Sequence, residues 1–318
     1  MDIQKKVMLI TGGNGYLGKN LALFFKDKYE VILGSRNNKN NFEATKITGC
    51  KSVPMDIDNI ESVRDIVNEF KPNIIVHAAA TKFVDLAERF PMECVDVNVL
   101  GSQNIARVAL DKGVEVVLGI STDKASPPIR NTYGMTKAIM ERVFCSMNGK
   151  GVTKFACVRY GNVVWSTGSV FPLWNDMWEK TKVIGTTGPE MRRFFFTVNE
   201  AVALVSTAIE NINDVQGKVL SRAMKSAMVE DILKVWIKNK GGKYEKIEGR
   251  PGERNDEFLV GEIELPYTYE TIYNGIKHFI IAFNQKAEKP LDHIYDSSNA
   301  ERLNEDEILA LINGKPTY

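Results

Sequence analysis

The stretch Lys6-Val7-Met8-Leu9-Ile10-Thr11-Gly12-Gly13-Asn14-Gly15-Tyr16-Leu17-Gly18 decides the fold of this 318-residue chain. Its apolar first part predicts a short buried strand over residues 6–11, and a helix is expected from about Lys19. Glycines at 12, 15 and 18 permit a tight turn, a close approach of the backbone to a diphosphate, and close packing of the helix on the strand. The positive end of the helix then faces the negative charge. The stretch therefore predicts a dinucleotide-binding turn, formed by Gly12, Gly15, Tyr16, Leu17 and Gly18.

Predicted strands and helices alternate, with short loops, through the first half of the chain. Apolar runs predict strands over residues 30–33, 73–76, 114–120 and 155–158, and helices are expected over residues 60–70 and 91–111. This alternation predicts an α/β fold with a Rossmann-type doubly wound parallel sheet. We expect a cofactor-binding domain over residues 1–165, completed by later segments. Residues 166–318 are expected to form mainly a smaller α/β substrate-binding domain, with a helix over residues 226–238 that Ser226 caps.

The end of the second predicted strand bears on the choice of nucleotide. A cofactor without a 2′-phosphate calls for Asp or Glu there, which accepts hydrogen bonds from the ribose hydroxyls. This chain has Ser35-Arg36-Asn37 instead, and a hydroxyl and a guanidinium suit a phosphate. NADP is therefore favoured over NAD, the alternative being that Arg36 is a solvated loop charge. Asp56 and Ile57 come at and directly after the end of the next segment, residues 52–56, where folds of this type usually meet the adenine.

Small and polar residues surround the end of the predicted strand over residues 73–76. Ala78, Ala79 and Ala80 allow the backbone to lie against the cofactor. Lys82 emerges at the same sheet edge, where ligands bind, whereas His77 is expected to be a packed histidine with satisfied hydrogen bonds. Asn98 stands among valines and leucine in the next helix, which predicts a buried hydrogen-bonding role.

The stretch over residues 119–137 carries the candidate chemistry. Ser121, Thr122, Asp123 and Lys124 follow a buried strand without a break, and Tyr133 and Lys137 come four residues apart at the start of a predicted helix. That spacing places both on one helical face. Because an ammonium next to a phenol favours the phenolate, we expect Lys137 to lower the pKa of Tyr133. Such a tyrosine is a usable general base.

The bulk properties exclude several classes of protein. The chain has 41 basic and 40 acidic residues, and a net charge of +1 gives no reason to expect nucleic acid or an anionic membrane as partner. No apolar segment approaches the length of a membrane span, and no signal peptide is expected, so the predicted location is cytoplasmic. The four cysteines are expected to be free thiols. No metal is expected, because neither cysteines nor histidines have ligand spacing.

Together these residues resemble the extended short-chain dehydrogenase/reductase superfamily, and within it the UDP-N-acetylglucosamine 4,6-dehydratase branch of polysaccharide biosynthesis. The resemblance covers nearly the whole chain. It depends on the motifs over residues 11–18, 77–82, 121–125, 133–137, 159–163, 168–170, 191–194 and 250–253. The most specific of these is Ser121-Thr122-Asp123-Lys124.

The resemblance implies a role for each catalytic candidate. Tyr133 would take the proton of the sugar C4 hydroxyl as hydride leaves C4 for NADP, Lys137 would hold Tyr133 ionised, and Thr122 would bond the C4 oxygen. Lys124 would remove the C5 proton, provided that burial or nearby cations lower its pKa, and Asp123 would protonate the departing C6 hydroxyl. Hydride would return to C6, which gives a 4-keto-6-deoxy sugar.

The same resemblance implies the binding residues. Tyr160, Gly161 and Val163 would contact the cofactor, together with Lys82, Asn98, Tyr133 and Lys137. The UDP-sugar would be bound by Lys82, Asn162, Ser169, Val170, Arg193, Arg250 and Glu253. Relatives form dimers or larger rings, so a homo-oligomer is expected, with the helices from Pro91 and Tyr133 as the natural contact.

Three departures from the family pattern leave other outcomes open. The connection between Lys124 and Tyr133 is one residue longer than usual, Thr167 stands where relatives often have Arg, and Asp256 replaces a usual His. A UDP-N-acetylglucosamine 5,6-dehydratase that releases a 5,6-ene product is one alternative. A C4 epimerase or ketoreductase that uses only Tyr133 and Lys137 is another, and a non-catalytic dinucleotide sensor is a third. The sequence also leaves open whether C5 is inverted.

Overall fold

A nine-stranded sheet forms the centre of the protein in the computed structural model, which describes residues 5–249 and 253–316. The described residues form sixteen strands: β1 (Val7–Thr11), β2 (Glu30–Ser35), β3 (Lys51–Pro54), β4 (Ile74–His77), β5 (Val116–Ile120), β6 (Lys154–Val158), β7 (Asn162–Val163), β8 (Val183–Thr186), β9 (Arg192–Phe196), β10 (Lys218–Arg222), β11 (Ser226–Met228), β12 (Lys243–Lys246), β13 (Phe258–Val260), β14 (Thr268–Tyr273), β15 (Ile276–Ala282) and β16 (Tyr295–Asp296).

Helices cover both faces of this sheet and form much of the second half of the chain. The same residues contain twelve α-helices: α1 (Tyr16–Phe25), α2 (Asn38–Thr48), α3 (Ile60–Phe70), α4 (Val84–Arg89), α5 (Pro91–Val95), α6 (Gly101–Lys112), α7 (Thr132–Met147), α8 (Val170–Thr181), α9 (Val198–Glu210), α10 (Ile212–Val215), α11 (Val229–Lys240) and α12 (Glu305–Asn313).

The order of strands confirms the predicted doubly wound parallel sheet. It reads β14-β15-β10-β6-β5-β4-β1-β2-β3, and every neighbouring pair from β10 to β3 is parallel. From β1 the strands are added first in one direction, to β2 and β3, and then in the other, from β4 onward. This reversal of strand order opens a crevice at the carboxyl ends of β1 and β4. Only β15 and β14 run antiparallel to their neighbours. Three strands of the second half, β10, β14 and β15, therefore complete the large sheet, while the division at residue 165 stays a prediction.

The sheet is buried on both faces because its strands are apolar at successive positions. Met8 and Ile10 of β1 join one core, which includes side chains of α1 and α9. Leu9 points the other way and joins a second core with side chains of α3, α6 and α7. This period of two, with both sets apolar, is typical of a central parallel strand.

A third core lies in the second half of the chain. Trp165, Phe171, Trp174 and Trp236 pack there with side chains of α11 and α12. Phe171 and Trp174 stack, and the other ring pairs meet edge-on or tilted. This core supports β7, β9 and β11, a small sheet beside the carboxyl ends of the large one. Tyr16, next to the glycine turn, also packs against this core.

Two predicted helices differ from those observed. The helix expected over residues 226–238 begins only at Val229, because Ser226 lies in β11 and its hydroxyl donates to Ser297 O at 2.8 Å instead of capping a helix. The helix expected over residues 91–111 contains a π-helical turn over Asp96–Leu100, between α5 and α6. The predicted oligomer contact at these helices stays a prediction, although Met92, Met135 and Ile139 are exposed there.

A buried ion cluster ties three separate parts of the chain together. Arg159, just after β6, is fully buried. Its guanidinium donates to Glu141 of α7 at 3.0 and 2.6 Å and to Glu264 at 2.9 Å twice. Its fifth hydrogen goes to Leu259 O at 2.9 Å. The planar fork of the guanidinium thus satisfies both carboxylates at once.

We expect Arg159→Met to lower the free energy of unfolding by about 3–5 kcal/mol, because it leaves two carboxylates buried without a counter-charge. The matched control is Arg159→Met combined with Glu141→Leu and Glu264→Leu, which removes the whole cluster and should recover most of that loss. Urea unfolding monitored by circular dichroism measures both. A single variant as stable as the wild type would contradict this account of the cluster.

Candidate active site

The predicted nucleotide turn and the predicted catalytic stretch lie on one cleft of about 1060 Å³ at the carboxyl ends of β1, β4, β5 and β6. The cleft wall includes most of the predicted cofactor residues: Gly12, Gly15, Tyr16, Leu17, Gly18, Ala78, Ala79, Ala80, Lys82, Tyr133, Lys137, Tyr160, Gly161 and Val163. It also includes Thr122, Lys124 and the predicted substrate residues Asn162, Ser169, Val170, Arg193 and Glu253. Arg250 lies outside the described residues.

The glycine turn has the shape that a dinucleotide diphosphate requires. A Cβ on Gly12 would lie 2.8 Å from the Ala79 backbone, and Gly12 has a φ of +67°, so no other residue fits there without strain. A Cβ on Gly18 would lie 2.6 Å from Gly12 O, which confirms close packing of α1 on the turn. The amino end of α1 begins at Tyr16, directly beside this turn. The turn therefore fits a bound diphosphate.

Six predicted cofactor residues are not part of the cleft wall, and all of these except Asn98 lie at the end of β2 or after β3. Ser35 is buried, and its hydroxyl donates to Gly34 O at 2.6 Å and accepts from Asn14 N at 3.2 Å. Asn37 caps α2 by accepting from Asn40 N. Asp56 accepts from Asp58 N at 3.2 Å, and Ile57 is buried. Arg36 is exposed, 3.7 Å from Asp58, so its guanidinium remains accessible to a ligand.

Asn98 and His77 support the floor of the cleft. As predicted, Asn98 is buried and hydrogen-bonded: it accepts from Thr81 N at 2.8 Å and donates to Thr81 O at 3.0 Å. It holds the backbone next to Lys82 and is not itself part of the cleft wall. The prediction of a packed His77 is confirmed, because its ring nitrogens lie 2.8 Å from Thr11 Oγ1 and 3.0 Å from Ser102 Oγ. Burial lowers its pKa to about 3.

Asp123 and Lys124 form a tight pair in a 3₁₀ turn directly after β5. The Lys124 ammonium lies 3.0 Å from Asp123 Oδ1, and Thr122 Oγ1 donates to the same oxygen at 2.9 Å. Asp123 is fully buried, and among the described residues its Oδ2 has no hydrogen-bond partner. Burial raises the pKa of Asp123, and the charge of Lys124 only partly opposes this.

The structure does not show the expected effect of Lys137 on Tyr133, because Lys137 is not among the groups with the largest influence on the pKa of that phenol. Burial raises the pKa of Tyr133 to about 12, and the charge that opposes this increase is that of Lys124. The Lys137 ammonium instead lies 3.0 Å from the Met140 sulfur, and burial lowers its own pKa to about 8. Tyr133 hydrogen-bonds to Thr122, so the phenol faces the Thr122–Lys124 turn.

The expectation for Lys124 also needs correction. Burial alone would lower its pKa, but Asp123 and Glu257 outweigh burial and the repulsion of Arg193, and the pKa of Lys124 is raised. Lys124 is therefore an ammonium at rest, and its pair with Asp123 has one proton to exchange. Lys82 is different: its ammonium donates to Ser166 Oγ at 3.2 Å, and burial lowers its pKa.

The remaining predicted substrate residues lie along the second half of the cleft. Asn162 Oδ1 accepts from the Lys124 ammonium at 3.4 Å, and Arg193 Nε lies 3.8 Å from Glu257. Ser169 has a buried hydroxyl without a hydrogen-bond partner among the described residues. Glu253 accepts from Thr187 Oγ1 at 2.9 Å. Val170, at the start of α8, completes this part of the wall. The Ser169 hydroxyl is a polar atom available to a ligand.

Sequence reasoning missed two features of the cleft. Glu257 lies on the wall next to Lys124, a contact between segments far apart in the chain. Phe83 packs against the backbone of Gly168, where a Cβ would lie 2.1 Å from the ring. The only sequence signals for the second contact were an aromatic residue after Lys82 and a glycine at position 168. Neither signal shows that these two residues meet unless the fold is known.

Comparison with known proteins agrees with this geometry. The family described as polysaccharide biosynthesis protein matches residues 8–277. A Methanocaldococcus jannaschii protein, named as an uncharacterized membrane protein, is 34% identical over 96% of this chain and 95% of its own. None of the described helices here is long and apolar enough to cross a membrane.

Relatives with named activities cover the chain equally well. The UDP-N-acetylglucosamine 4,6-dehydratase (inverting) of Campylobacter jejuni is 30% identical, over 97% of this chain and 98% of its own. The UDP-glucose 4-epimerase of Rickettsia bellii is 32% identical, over 96% and 95%. The solved structure of Pen from Bacillus thuringiensis superposes with a TM-score of 0.89 at 29% identity, over 99% of both chains. The chain therefore belongs to the polysaccharide biosynthesis protein family of extended short-chain dehydrogenase/reductases, as its motifs predict.

Proposed function

We propose that this chain is an NADP-dependent dehydratase that removes water from UDP-N-acetylglucosamine across C5 and C6. The observation that supports this best is the buried Asp123–Lys124 pair, 3.0 Å apart, beside Tyr133 and Thr122 in the same cleft as the glycine turn. An elimination needs one proton removed and one delivered close together, and this pair supplies both functions. The Campylobacter jejuni relative acts, by its name, on this substrate.

The first step concerns the C4 hydroxyl. When bound, NADP would accept hydride from C4 and later return it. Tyr133 would take the hydroxyl proton, and Thr122 would bond the same oxygen. Burial raises the pKa of Tyr133 to about 12 although the charge of Lys124 opposes it. Lys124 therefore favours the phenolate, as the sequence suggested for Lys137, without ionising the phenol near neutral pH by itself.

The second step is the elimination itself. A ketone at C4 acidifies the C5 proton. The pair has two states that share one exchangeable proton: Lys124 as ammonium with Asp123 as carboxylate, or Lys124 as amine with Asp123 as carboxylic acid. Transfer of that proton across the 3.0 Å contact converts the first state into the second. In the second state Lys124 accepts the C5 proton while Asp123 donates to the departing C6 oxygen. The neutral acid form of Asp123 is favoured by its burial, which raises its pKa.

A UDP-sugar C4 epimerase or reductase is the second candidate. The Rickettsia bellii relative is named a UDP-glucose 4-epimerase, and C4 chemistry alone would use Tyr133 and Lys137, with no proton exchange between Asp123 and Lys124. Return of hydride to C4 after elimination would instead give the 5,6-ene product. All of these outcomes share the first step. The epimerase or reductase needs no proton exchange by Asp123 and Lys124, whereas the two dehydratases both need it and differ in whether hydride returns to C6 or to C4.

The product formed in deuterated water distinguishes these functions. We expect the purified protein with NADP and UDP-N-acetylglucosamine to give a 4-keto-6-deoxy sugar with deuterium at C5, detected by NMR and mass spectrometry. An alkene with the C4 hydroxyl intact would establish the 5,6-dehydratase, and UDP-N-acetylgalactosamine the epimerase. Tight NADP binding with no turnover of UDP-sugars would contradict the proposal and favour a dinucleotide sensor.

Lys124→Arg tests the acid–base role of the pair separately from C4 oxidation. Arginine keeps the positive charge beside Tyr133 but does not release its proton. We expect dehydration to fall about 10²–10⁴-fold, while bound NADP is still reduced when substrate is added, as seen by absorbance.

Two further variants serve as controls for that measurement. Tyr133→Phe should prevent reduction of NADP as well as dehydration, and Lys124→Met, which removes the charge, should slow both. If Lys124→Arg dehydrates substrate at the wild-type rate, Lys124 does not exchange protons in the reaction and the assignment is wrong.

Arg36→Ala tests the choice of cofactor. Its exposed guanidinium is the group proposed to bind the 2′-phosphate, and loss of a charge-assisted hydrogen bond costs about 1.5–3 kcal/mol, or roughly 10–100-fold in NADP affinity. The affinity for NAD should be unchanged, as should both affinities in Lys39→Ala, which removes a neighbouring exposed cation. Fluorescence titration with each nucleotide measures this, and equal losses for NADP and NAD would refute the assignment.

A further inference from the structure

Glu257 occupies the position in the cleft where three cations converge. Its Oε1 lies 3.7 Å from the Lys124 ammonium and 3.8 Å from Arg193 Nε. Its Oε2 accepts from Arg254 Nε at 2.8 Å. The backbone of Glu257 is held in place by Ser297, whose Oγ accepts from Glu257 N at 3.0 Å and whose N donates to Glu257 O at 2.8 Å. Its side chain is only 6% exposed.

These contacts leave Lys124 between two carboxylates. On one side is Asp123 at 3.0 Å, and on the other is Glu257 at 3.7 Å. The other groups around the lysine are neutral or positive: Asn162 Oδ1 at 3.4 Å, Tyr133, and Arg193 beyond Glu257. When Asp123 is protonated and uncharged, Glu257 still provides a negative charge next to the Lys124 ammonium. The ammonium is therefore never left without a counter-charge.

We propose that Glu257 is a positioning residue that stays ionised and sets the protonation of the Asp123–Lys124 pair, and with it the pH range in which the pair can perform elimination. The inference rests on the proposed dehydratase function. It assigns to the family's C-terminal segment an electrostatic role in the reaction, in addition to its place in the cleft wall.

The charges around each group agree with this assignment. Burial alone would raise the pKa of Glu257, but Lys124, Arg193 and Arg254 outweigh burial and hold it below its usual range. Glu257 in turn adds to the burial that raises the pKa of Asp123, and it acts with Asp123 to raise that of Lys124. An anion that faces both members of the pair thus favours the protonated form of each.

The consequence for activity has a definite sign. The pair can perform elimination only while it holds one proton, between its two macroscopic pKa values. Removing the charge of Glu257 lowers both values, because each protonation step loses a favourable anion. The active pH range must therefore move to lower pH as a whole, whichever of the two groups carries the proton.

The pH dependence of kcat/KM for dehydration tests this with three variants. Glu257→Gln should shift the entire profile to lower pH by about one unit or more. Glu257→Asp keeps the charge, so its profile should stay at the wild-type position even if the rate falls. Asp256→Asn is the matched control: it removes one charge from the adjacent residue, whose carboxylate pairs with Arg192 at 2.7 Å, and should leave the profile unshifted. A lower rate in Glu257→Gln without a shift would overturn the inference.

A second measurement does not depend on turnover. In protein labelled with ¹³C-lysine, the Lys124 side-chain signal, assigned from Lys124→Arg, should titrate at lower pH in Glu257→Gln than in the wild type. An unchanged titration would refute the role of Glu257. If wild-type protein fails to dehydrate any UDP-sugar but the Lys124 titration still shifts, the proposed function is wrong and the electrostatic assignment stands.

Discussion

Lys124 lies with its ammonium 3.0 Å from Asp123 and 3.7 Å from Glu257, and this buried contact determines the electrostatics of the whole cleft. The same ammonium is the cation that lowers the pKa of Tyr133 against burial. One lysine therefore links Tyr133, proposed to act on C4, to the pair proposed to act on C5 and C6. Burying charged groups costs free energy unless they are paired. Among the described residues, Lys124 is paired with Asp123 and Glu257, and Asp123 Oδ2 is the buried oxygen of this group that has no hydrogen-bond partner.

The contact also explains why the two halves of the chain are interleaved. Asp123 and Lys124 follow β5 of the large sheet, whereas Glu257, Arg193 and Arg254 come from the second half. The second half is anchored because β10, β14 and β15 pair into the large sheet, and the Trp165–Trp236 core holds its small sheet against the cleft. A substrate-facing wall built in this way is positioned by strand pairing, which is stiffer than a loop connection.

Much of the fold and part of the site could be predicted from the sequence, and the limit lies where partners are distant in the chain. The glycine turn and the strand ends have local signals, so Gly12, Ala79 and His77 were placed correctly. Tyr133 and Lys137 lie on one helix, as their spacing predicts, but periodicity gives no side-chain environment. Burial raises the pKa of Tyr133, and the Lys137 ammonium contacts the Met140 sulfur. Ser226 was assigned to a helix because a hydroxyl before an apolar run is typical of a cap, whereas its hydroxyl is used by Ser297. Arg254, three residues before Glu257, is a local partner, but the two cations that relate Glu257 to the candidate site, Lys124 and Arg193, are distant in the chain and are brought to it only by tertiary structure.

The Arg159 cluster has a consequence for how sequences of this family can diverge. Residues 141, 159 and 264 are supplied by a helix, a strand end and a late turn, yet each guanidinium hydrogen is matched to an oxygen of another segment. A change at one position leaves an unpaired charge in the interior, so viable replacements must occur as a set. The three positions should consequently covary across homologues, and a chain that retains only one or two of them has rebuilt the junction between α7 and the last strands of the sheet.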